Sequence, residues 1–299
     1  MTQFPNNVLS QAESIQAKTA FDLKLSDTSF EKFREVIYSS CGIYFQDNKK
    51  YLLESRLLKR MNHLGMESFD EYFDYLKYNR SSDDEKKYLY EAITINETFF
   101  FRNPPQLDAL VTTVIPELVA AKRKTGRTKL KIWSAAASSG EEAYSIGIII
   151  ADLLKPKYPD LEVEIIGTDI NNTVIEAAKN GLFKEYSIRN TPGYYLKKYF
   201  KPKGNAFEID PLVKKNVSFK ILNLYDDYAM RSMTNFDIIF CANVLIYFDM
   251  KAKVKVVSNL YNSLNKGGYL FIGYAETLHM ISKAFTIVSF PKTIGYKKE

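Results

Sequence analysis

The sequence predicts an α/β protein of the doubly wound type, with a small all-helical domain in front of it and an insertion at one edge of its sheet. Three observations predict this. From about residue 107 onward, short apolar runs alternate with helical patterns, as in βαβ units that build a parallel sheet. Before residue 95 the apolar positions recur only at helical spacing. Residues 129 to 147 read as a strand, a tight turn and a helix, and the rest of the chain is organised around them.

Size and composition fit that reading. At 299 residues and 46% hydrophobic content the chain can bury a full core, enough for one large domain and a smaller one. No apolar run approaches the roughly 20 residues that cross a bilayer, and the first residues lack the pattern of a signal peptide. Cys41 and Cys241 lie far apart without metal-ligand spacing, so a reducing compartment, the cytoplasm, is expected. His63 and His279 are too few for a His-rich metal site, and no metal is expected. The net charge of +6 allows an acidic protein, nucleic acid or anionic lipid as partner.

In chain order, residues 1 to 25 are polar and read as an N-terminal arm or one short helix. Residues 26 to 95 form the helical domain, through Phe30, Phe33 and Ile37, then Leu53, Leu57, Met61 and Leu64, then Phe69, Tyr72, Phe73 and Leu76, then Tyr88, Leu89 and Ala92. On the second of these helices Lys49, Arg56, Arg60 and His63 recur on a face separate from the apolar stripe, with Lys50 and Lys59 nearby. That face is either an ordinary solvated one or a docking surface for an acidic helix or nucleic acid. Residues 96 to 106 form a linker in which Phe99, Phe100 and Phe101 are expected to anchor one domain to the other. Pro104 then opens a helix running to about Lys122.

The central strand carries Leu130, Ile132 and Trp133, and Ala135 to Gly140 have almost no side-chain bulk. A ligand can therefore lie against the backbone at the strand's carboxyl end. The loop has one glycine followed by two acids, whereas a dinucleotide fingerprint needs G-x-G-x-x-G and a pyrophosphate on the helix N-terminus. Glu141 and Glu142 repel phosphate there. A cationic, phosphate-free nucleoside such as S-adenosylmethionine suits them better, although two acids at a helix start also favour the helix dipole by themselves. The helix is expected over 141 to 154.

Leu161 to Thr168 is the second strand, ending at Asp169, which can accept both hydroxyls of a ribose or cap the following helix, a role open equally to Asn171 or Asn172. Residues 182 to 215 break the alternation and read as the edge insertion. Strands follow at Val217 to Leu224 and Phe236 to Asn243, then a helix from Lys251 to Leu264. The chain closes with strands at Tyr269 to Gly273, Phe285 to Phe290 and Ile294 to Tyr296.

These residues resemble the CheR family of chemotaxis receptor methyltransferases. The resemblance runs from about Ser26 to the C-terminus. It rests on Asn96-Glu-Thr-Phe-Phe-Phe-Arg102, Trp133-Ser-Ala-Ala-Ala-Ser-Ser-Gly-Glu-Glu142, Gly167-Thr-Asp-Ile170, Leu222-Asn-Leu224 and Phe240-Cys-Ala-Asn-Val-Leu-Ile-Tyr-Phe-Asp249, in this order. It implies a Rossmann-like S-adenosylmethionine-dependent methyltransferase domain over 107 to 299, with a small β-subdomain inserted at about 186 to 217. It also implies transfer of methyl groups to glutamates in the cytoplasmic helical domain of chemoreceptors, by a chain expected to be a monomer and not itself a membrane protein.

Carried over by position, Asn96, Thr98 and Arg102 line the donor pocket and Glu142, with Glu141 as second choice, lies near the donor's methionine end. Asp169 takes the ribose, Asn223 and Leu224 flank the adenine, Cys241, Ala242 and Asn243 bracket the nucleoside, and Tyr247 lies beside the transferred methyl. Arg102 and Tyr247 are the expected catalytic pair, and Arg56, Lys59 and Arg60 the expected receptor-docking residues. Three departures stand out, namely Ala143 for a frequent proline, Ala242 for a frequent arginine, and Ala275 for the serine of Gly-x-Ser-Glu. Members that clamp a receptor's C-terminal peptide resemble one another in a longer, glycine-rich hairpin loop. Here the run from Lys201 to Lys215 is shorter, has Gly204 as its only glycine and carries Pro211, which cannot donate a ladder bond, so no tail tether is expected.

Two other classes compete. A nucleic-acid methyltransferase would show Asn/Asp-Pro-Pro-Tyr/Phe after the fourth strand, where this chain has Asn243-Val-Leu-Ile-Tyr, and its Asn103-Pro-Pro-Gln run lies in the linker; nucleic acid is therefore not an expected partner. A non-catalytic adapter would keep the fold and bind the donor or the receptor without turnover.

Overall fold

The computed structural model describes residues 23–79 and 82–299, so residues 1 to 22 of the expected arm lie outside the described residues. The chain forms two compact units. One comprises the residues up to Phe33 with Gln46–Ala92; the other comprises Arg34–Phe45 and Ile93–Glu299. Among the described residues no helix is long and apolar enough to cross a membrane.

The first unit is all-helical. It contains the start of α1 (Asp27–Cys41), α2 (Lys50–Leu64), α3 (Phe69–Tyr78) and α4 (Ser82–Ile93, up to Ala92). The i, i+4, i+8 stripe of Leu53, Leu57 and Met61 is fully buried, and Phe33 packs on Tyr72 and Phe73 with ring centroids 5.8 and 5.5 Å apart. Ser68 caps α3 by accepting the Glu71 N–H at 3.1 Å.

The second unit begins with Arg34–Phe45, a segment the sequence reading assigns to the helical domain. Its bonds explain the difference, since Tyr44 N–H donates to the Tyr247 carbonyl at 3.0 Å and Tyr38 Oη to Asp249 at 3.1 Å. The expected linker also lies wholly in this unit. Phe100 is buried between Phe183 and Phe200, at 4.7 and 4.9 Å, and Phe101 stacks on Tyr195 at 5.2 Å. These two rings are core of a single unit rather than the expected anchor between domains.

The helix predicted from Pro104 comes as α5 (Pro104–Ala109), a π-type turn at Leu110–Val114 and α6 (Ile115–Arg123). β1 (Lys129–Ala135) leads into α7 (Glu141–Ile149), extended by another π-type turn at Ile150–Leu154. Then follow β2 (Glu162–Asp169) and α8 (Asn172–Asn180). The insertion consists of β3 (Leu182–Phe183), α9 (Glu185–Ile188), α10 (Gly193–Tyr199), β4 (Phe200–Lys203), β5 (Ala206–Ile209) and α11 (Pro211–Lys214). Its small antiparallel sheet, in the order β3-β5-β4, starts at Leu182, which pairs with Glu208, where the residue pattern breaks and four residues before the 186 that the resemblance implied. Pro211 is not in a strand; it opens α11, with Asp210 as its cap.

β6 (Val217–Ile221), α12 (Asp227–Met230), β7 (Phe236–Cys241), α13 (Met250–Ser263), β8 (Leu264–Ile272), β9 (Phe285–Phe290) and β10 (Thr293–Lys298) complete the unit. The main sheet has the order β6-β2-β1-β7-β8-β10-β9, parallel from β6 to β8 and antiparallel at β10 and β9. This is the Rossmann-like doubly wound arrangement with a closing hairpin. Successive residues of β1 feed opposite faces: Ile132 enters the core with α5, α6 and α7, and Trp133 the core with α12 and α13. Trp133 is wholly buried and its Nε1–H donates to Thr168 Oγ1 at 2.9 Å, which satisfies the indole and locks β1 to β2. The strands stay parallel but their order reverses at β1, with β2 on one side and β7 on the other, and the crevice beyond their carboxyl ends is the binding position of this fold.

Candidate active site

The loop after β1 is held in strained backbone. Ala136 (φ 58°), Ser138 (φ 49°) and Gly140 (φ 94°) all take left-handed conformations. Such conformations cost a non-glycine residue about 1 to 3 kcal/mol and collect where a ligand is clamped. Gly140 is required by contact as well as by φ, because a Cβ there would come within 2.8 Å of Phe219 Cζ. The Ala137 N–H, donated to the Thr168 carbonyl at 2.8 Å, fixes the loop across the end of β2.

Asp169 ends β2 and is almost fully buried. Its Oδ2 accepts the Ser138 N–H at 2.9 Å and its Oδ1 the Asn171 N–H at 3.0 Å. Burial raises its pKa against the pull of those N–H groups. It does not cap α8; Asn171 does, accepting the Val174 N–H at 3.2 Å. The roughly four lone-pair positions of the Asp169 carboxylate outnumber the backbone N–H groups of Ser138, Ile170 and Asn171 that it accepts, which leaves acceptor capacity for a ligand hydroxyl.

A cleft of about 1020 Å³, counted out to its open mouth, lies over these strand ends within the second unit. Asn96, Thr98, Arg102, Glu142, Asp169, Asn223, Leu224, Ala242, Asn243 and Tyr247 all line it, brought together from the segment before α5, the start of α7 and the ends of β2, β6 and β7. Arg102 Nη1–H donates to the Glu97 carbonyl at 2.8 Å. The Asn223 side chain is spent within the protein, with Nδ2–H donating to the Ser40 carbonyl at 2.7 Å and Oδ1 accepting the Tyr225 N–H at 3.0 Å. The turn Leu245–Tyr247 brings Tyr247 to the cleft, and Asn243 takes φ 61° just before it.

The two acids of the loop separate. Glu142 lines the cleft and accepts the Ser134 hydroxyl at 2.7 Å, and burial pushes its carboxyl up to about 7, against that hydroxyl and the Arg102 guanidinium but with help from the charge of Glu276. Glu141, only 1% exposed, turns away and accepts the Ser139 hydroxyl at 2.7 Å, so its place beside a ligand is not supported. One residue of a helix turn, about 100°, separates these two fates. Cys241 likewise is wholly buried at the end of β7, in the core with α13, and is not part of the cleft wall.

The three expected docking residues lie on α2 of the first unit. Lys59 is exposed and Arg56 half-buried, but Arg60 is an internal tether. Its Nε and Nη2 donate to the two oxygens of Glu85 at 2.7 and 2.6 Å, Tyr72 Oη donates to the same carboxylate at 2.9 Å, and Glu85 is 3% exposed. Arg60 therefore has little left to offer a partner.

Sequence reasoning missed Cys41, the last residue of α1, and Ile43 just after it, which both reach the cleft, and Ser134 and Glu276. Two signals were available, since Ser134 stands in the Trp133 to Glu142 run and Glu276 closes the run compared with Gly-x-Ser-Glu.

The cleft suits a cationic nucleoside. Among its described lining residues Arg102 is the one cation, while Glu142 and Asp169 supply carboxyl groups on either side of the helix start. A pyrophosphate at this helix N-terminus would face Glu142, whereas a ribose and a positively charged amino acid end find acceptors. The comparisons with known proteins agree. Residues 96–294 match the family model of the CheR methyltransferase, SAM binding domain, and residues 28–94 that of the CheR methyltransferase, all-alpha domain. The chain is similar to chemotaxis protein methyltransferase 2 of Vibrio cholerae (35% identity over 93% of this chain and 95% of the relative). It is similar to chemotaxis protein methyltransferase 1 of Pseudomonas aeruginosa (35% over 92% and 99%) and to a chemotaxis protein methyltransferase of Borreliella burgdorferi (32% over 88% and 93%). The doubly wound sheet, the cleft at its switch point and the two matched domains together make this chain a member of the CheR methyltransferase family, with an S-adenosylmethionine-binding methyltransferase domain behind an all-helical one.

Proposed function

We propose that this protein transfers a methyl group to glutamate side chains in the cytoplasmic helical domain of chemoreceptors, forming methyl esters in sensory adaptation. The observation that carries the reading is that Arg102 and Tyr247 line the same cleft as Asp169 and Glu142. One cavity thus holds both the groups suited to a donor and the groups suited to an incoming carboxylate. The similarity to chemotaxis protein methyltransferases supports the chemoreceptor as substrate, and Arg102, on the same lining as Tyr247, supports a carboxylate acceptor.

Bound S-adenosylmethionine supplies an electrophilic methyl on a sulfonium. Asp169, fixed by backbone N–H groups, accepts the ribose hydroxyls. Glu142 takes the α-ammonium end, Leu224 with the fixed Asn223 flanks the adenine, and Asn96 and Thr98 complete the lining. A glutamate, with an ordinary pKa of about 4.3, is already ionised at pH 7, so no residue needs to act as general base. What the chain must do is orient. Arg102, with one N–H committed to Glu97, keeps donors for a carboxylate, each charge-assisted bond contributing roughly 1.5 to 3 kcal/mol. Tyr247, on the lining of the same cleft, would close the surroundings of the methyl once a donor is bound. Lys59, exposed on α2, is the docking residue carried forward once Arg60 is removed from that set.

The test is incubation with methyl-labelled donor and receptor cytoplasmic fragments, followed by mild base. Carboxyl methyl esters release volatile methanol; label that stays on the protein would identify an amine or other acceptor and end the glutamate reading.

A further inference from the structure

We propose that Glu276 is a positioning residue for methyl transfer, acting by clamping the Asn243–Tyr247 segment of the cleft wall to the end of β8. The proposal rests on the reading of that cleft as the methyl-transfer site.

Three backbone N–H groups converge on this one carboxylate. Glu276 Oε2 accepts the Gly273 N–H at 2.7 Å and the Asn243 N–H at 2.9 Å, and Oε1 accepts the Ile246 N–H at 3.2 Å. The Glu276 N–H in turn donates to the Gly273 carbonyl at 2.9 Å, which closes the turn that presents the side chain. Asn243 and Ile246 lie on the loop after β7, and Gly273 follows β8, so the carboxylate joins the carboxyl ends of two neighbouring strands.

Each bond answers a local need. Asn243 is left-handed at φ 61°, a conformation that persists only where its surroundings over-determine it. Ile246 is in the first turn of a three-residue helix, where an N–H has no partner within the helix. Gly273 permits the approach, since a Cβ there would stand 2.7 Å from Glu276 Oε2 and 2.9 Å from the Asn243 nitrogen. The clamped segment carries Asn243 and Tyr247 into the cleft, while Glu276 itself is not part of the lining. Its action is therefore through those residues. An anion is the suitable clamp because both its oxygens only accept, whereas an amide at the same place would turn a donor toward one of the three N–H groups.

The test uses the full-length protein and compares Glu276→Gln, Glu276→Ala and Gly273→Ala. The last variant retains the carboxylate but pushes it out of position, since the added Cβ would stand 2.7 Å from Glu276 Oε2. Steady-state methylation of a receptor fragment, donor affinity by calorimetry, thermal unfolding and hydrogen exchange of the Asn243, Ile246 and Gly273 amides are measured for each. The expected result is a kcat about 10-fold to 100-fold lower, as for an ångström-scale misplacement, with donor Kd and acceptor KM within about threefold of wild type. The three amides should exchange faster, and Gln should retain more activity than Ala. Wild-type kcat and exchange in Glu276→Ala and Gly273→Ala would overturn the proposal. So would a fall in kcat matched by equal falls in donor affinity and melting temperature, or failure of all three variants to fold, since each marks a purely structural role. Absence of glutamate methylation by the wild type would sink the acceptor reading instead, while the amide exchange would still judge the clamp.

Discussion

The Ser134 hydroxyl at the end of β1 donates a 2.7 Å hydrogen bond to Glu142 in the first turn of α7, so the strand that positions the cleft also holds a carboxyl that burial keeps protonated well above its ordinary range. Burial raises that carboxyl from 4.5 to about 7. Between those two values the folded protein binds more protons at Glu142 than the unfolded chain does. Glu142 therefore contributes stability that is full below pH 4.5 and is lost as pH rises through about 7, each pKa unit being worth about 1.4 kcal/mol. We predict that unfolding free energy without donor falls across this window in the wild type and falls less in Glu142→Gln. A cationic donor favours the ionised form, so its binding near pH 7 should release a proton, seen by calorimetry in buffers of different ionisation enthalpy. Equal slopes in the two proteins would show that Glu142 does not titrate there.

Arg102→Ala should lower turnover by about 10-fold to 100-fold, the equivalent of one charge-assisted hydrogen bond, and shift the melting temperature little. The segment keeps its place without Arg102, because Phe100 and Phe101 are buried and the Phe101 N–H donates to Ser145 Oγ at 3.0 Å. Near-normal turnover would remove Arg102 from the mechanism.

Lys59 and Arg60 are neighbours on α2 with opposite expected phenotypes. Lys59→Glu should raise the receptor's KM without loss of stability, an effect that weakens as salt rises, since exposed charges are screened over about 10 Å at 0.1 M. Arg60→Glu should destabilise the helical unit by roughly 3 to 5 kcal/mol, because it leaves the buried Glu85 carboxylate facing a second negative charge. Chemical denaturation and receptor titration separate the two, and a stable Arg60→Glu protein would contradict the tether.

What was legible in the sequence was what short-range pattern encodes. β1, the small-residue loop and α7 follow from the run Leu130 to Gly147, and Asp169 from its place at a strand end. What was not legible depends on partners far apart in the chain. Arg60 looked like one more basic residue on an outer face until Glu85 met it from α4. Phe100 and Phe101 signalled an anchor, but nothing local says that Phe183, Phe200 and Tyr195 receive them. Glu276 acts on amides 30 and 33 residues away, and a backbone N–H leaves no mark on side-chain identity.

The small sheet of the insertion bears on how a receptor is held. A tethering peptide that adds a strand needs a free edge with alternating donors and acceptors. β4 is one edge, and its pairing with β5 runs Lys203 with Ala206, Pro202 with Phe207, Lys201 with Glu208 and Phe200 with Ile209. The two-residue turn at Gly204 and Asn205 makes Lys203 and Ala206 a hydrogen-bonded pair, and the Asp210 N–H donated to the Tyr199 carbonyl at 2.8 Å keeps the same alternation. Lys201 and Lys203 therefore bond inward, and the groups of Phe200 and Pro202 face outward. Pro202 has no N–H, so the edge lacks a donor at its centre. The opposite edge, β3, is only two residues long. We predict that an isolated receptor C-terminal peptide does not bind this protein at micromolar concentration, and that Pro202→Ala, which restores the missing donor, leaves the hairpin stable. Micromolar binding to the wild type, lost on deleting residues 203 to 213, would show that the insertion accepts a tether despite its proline.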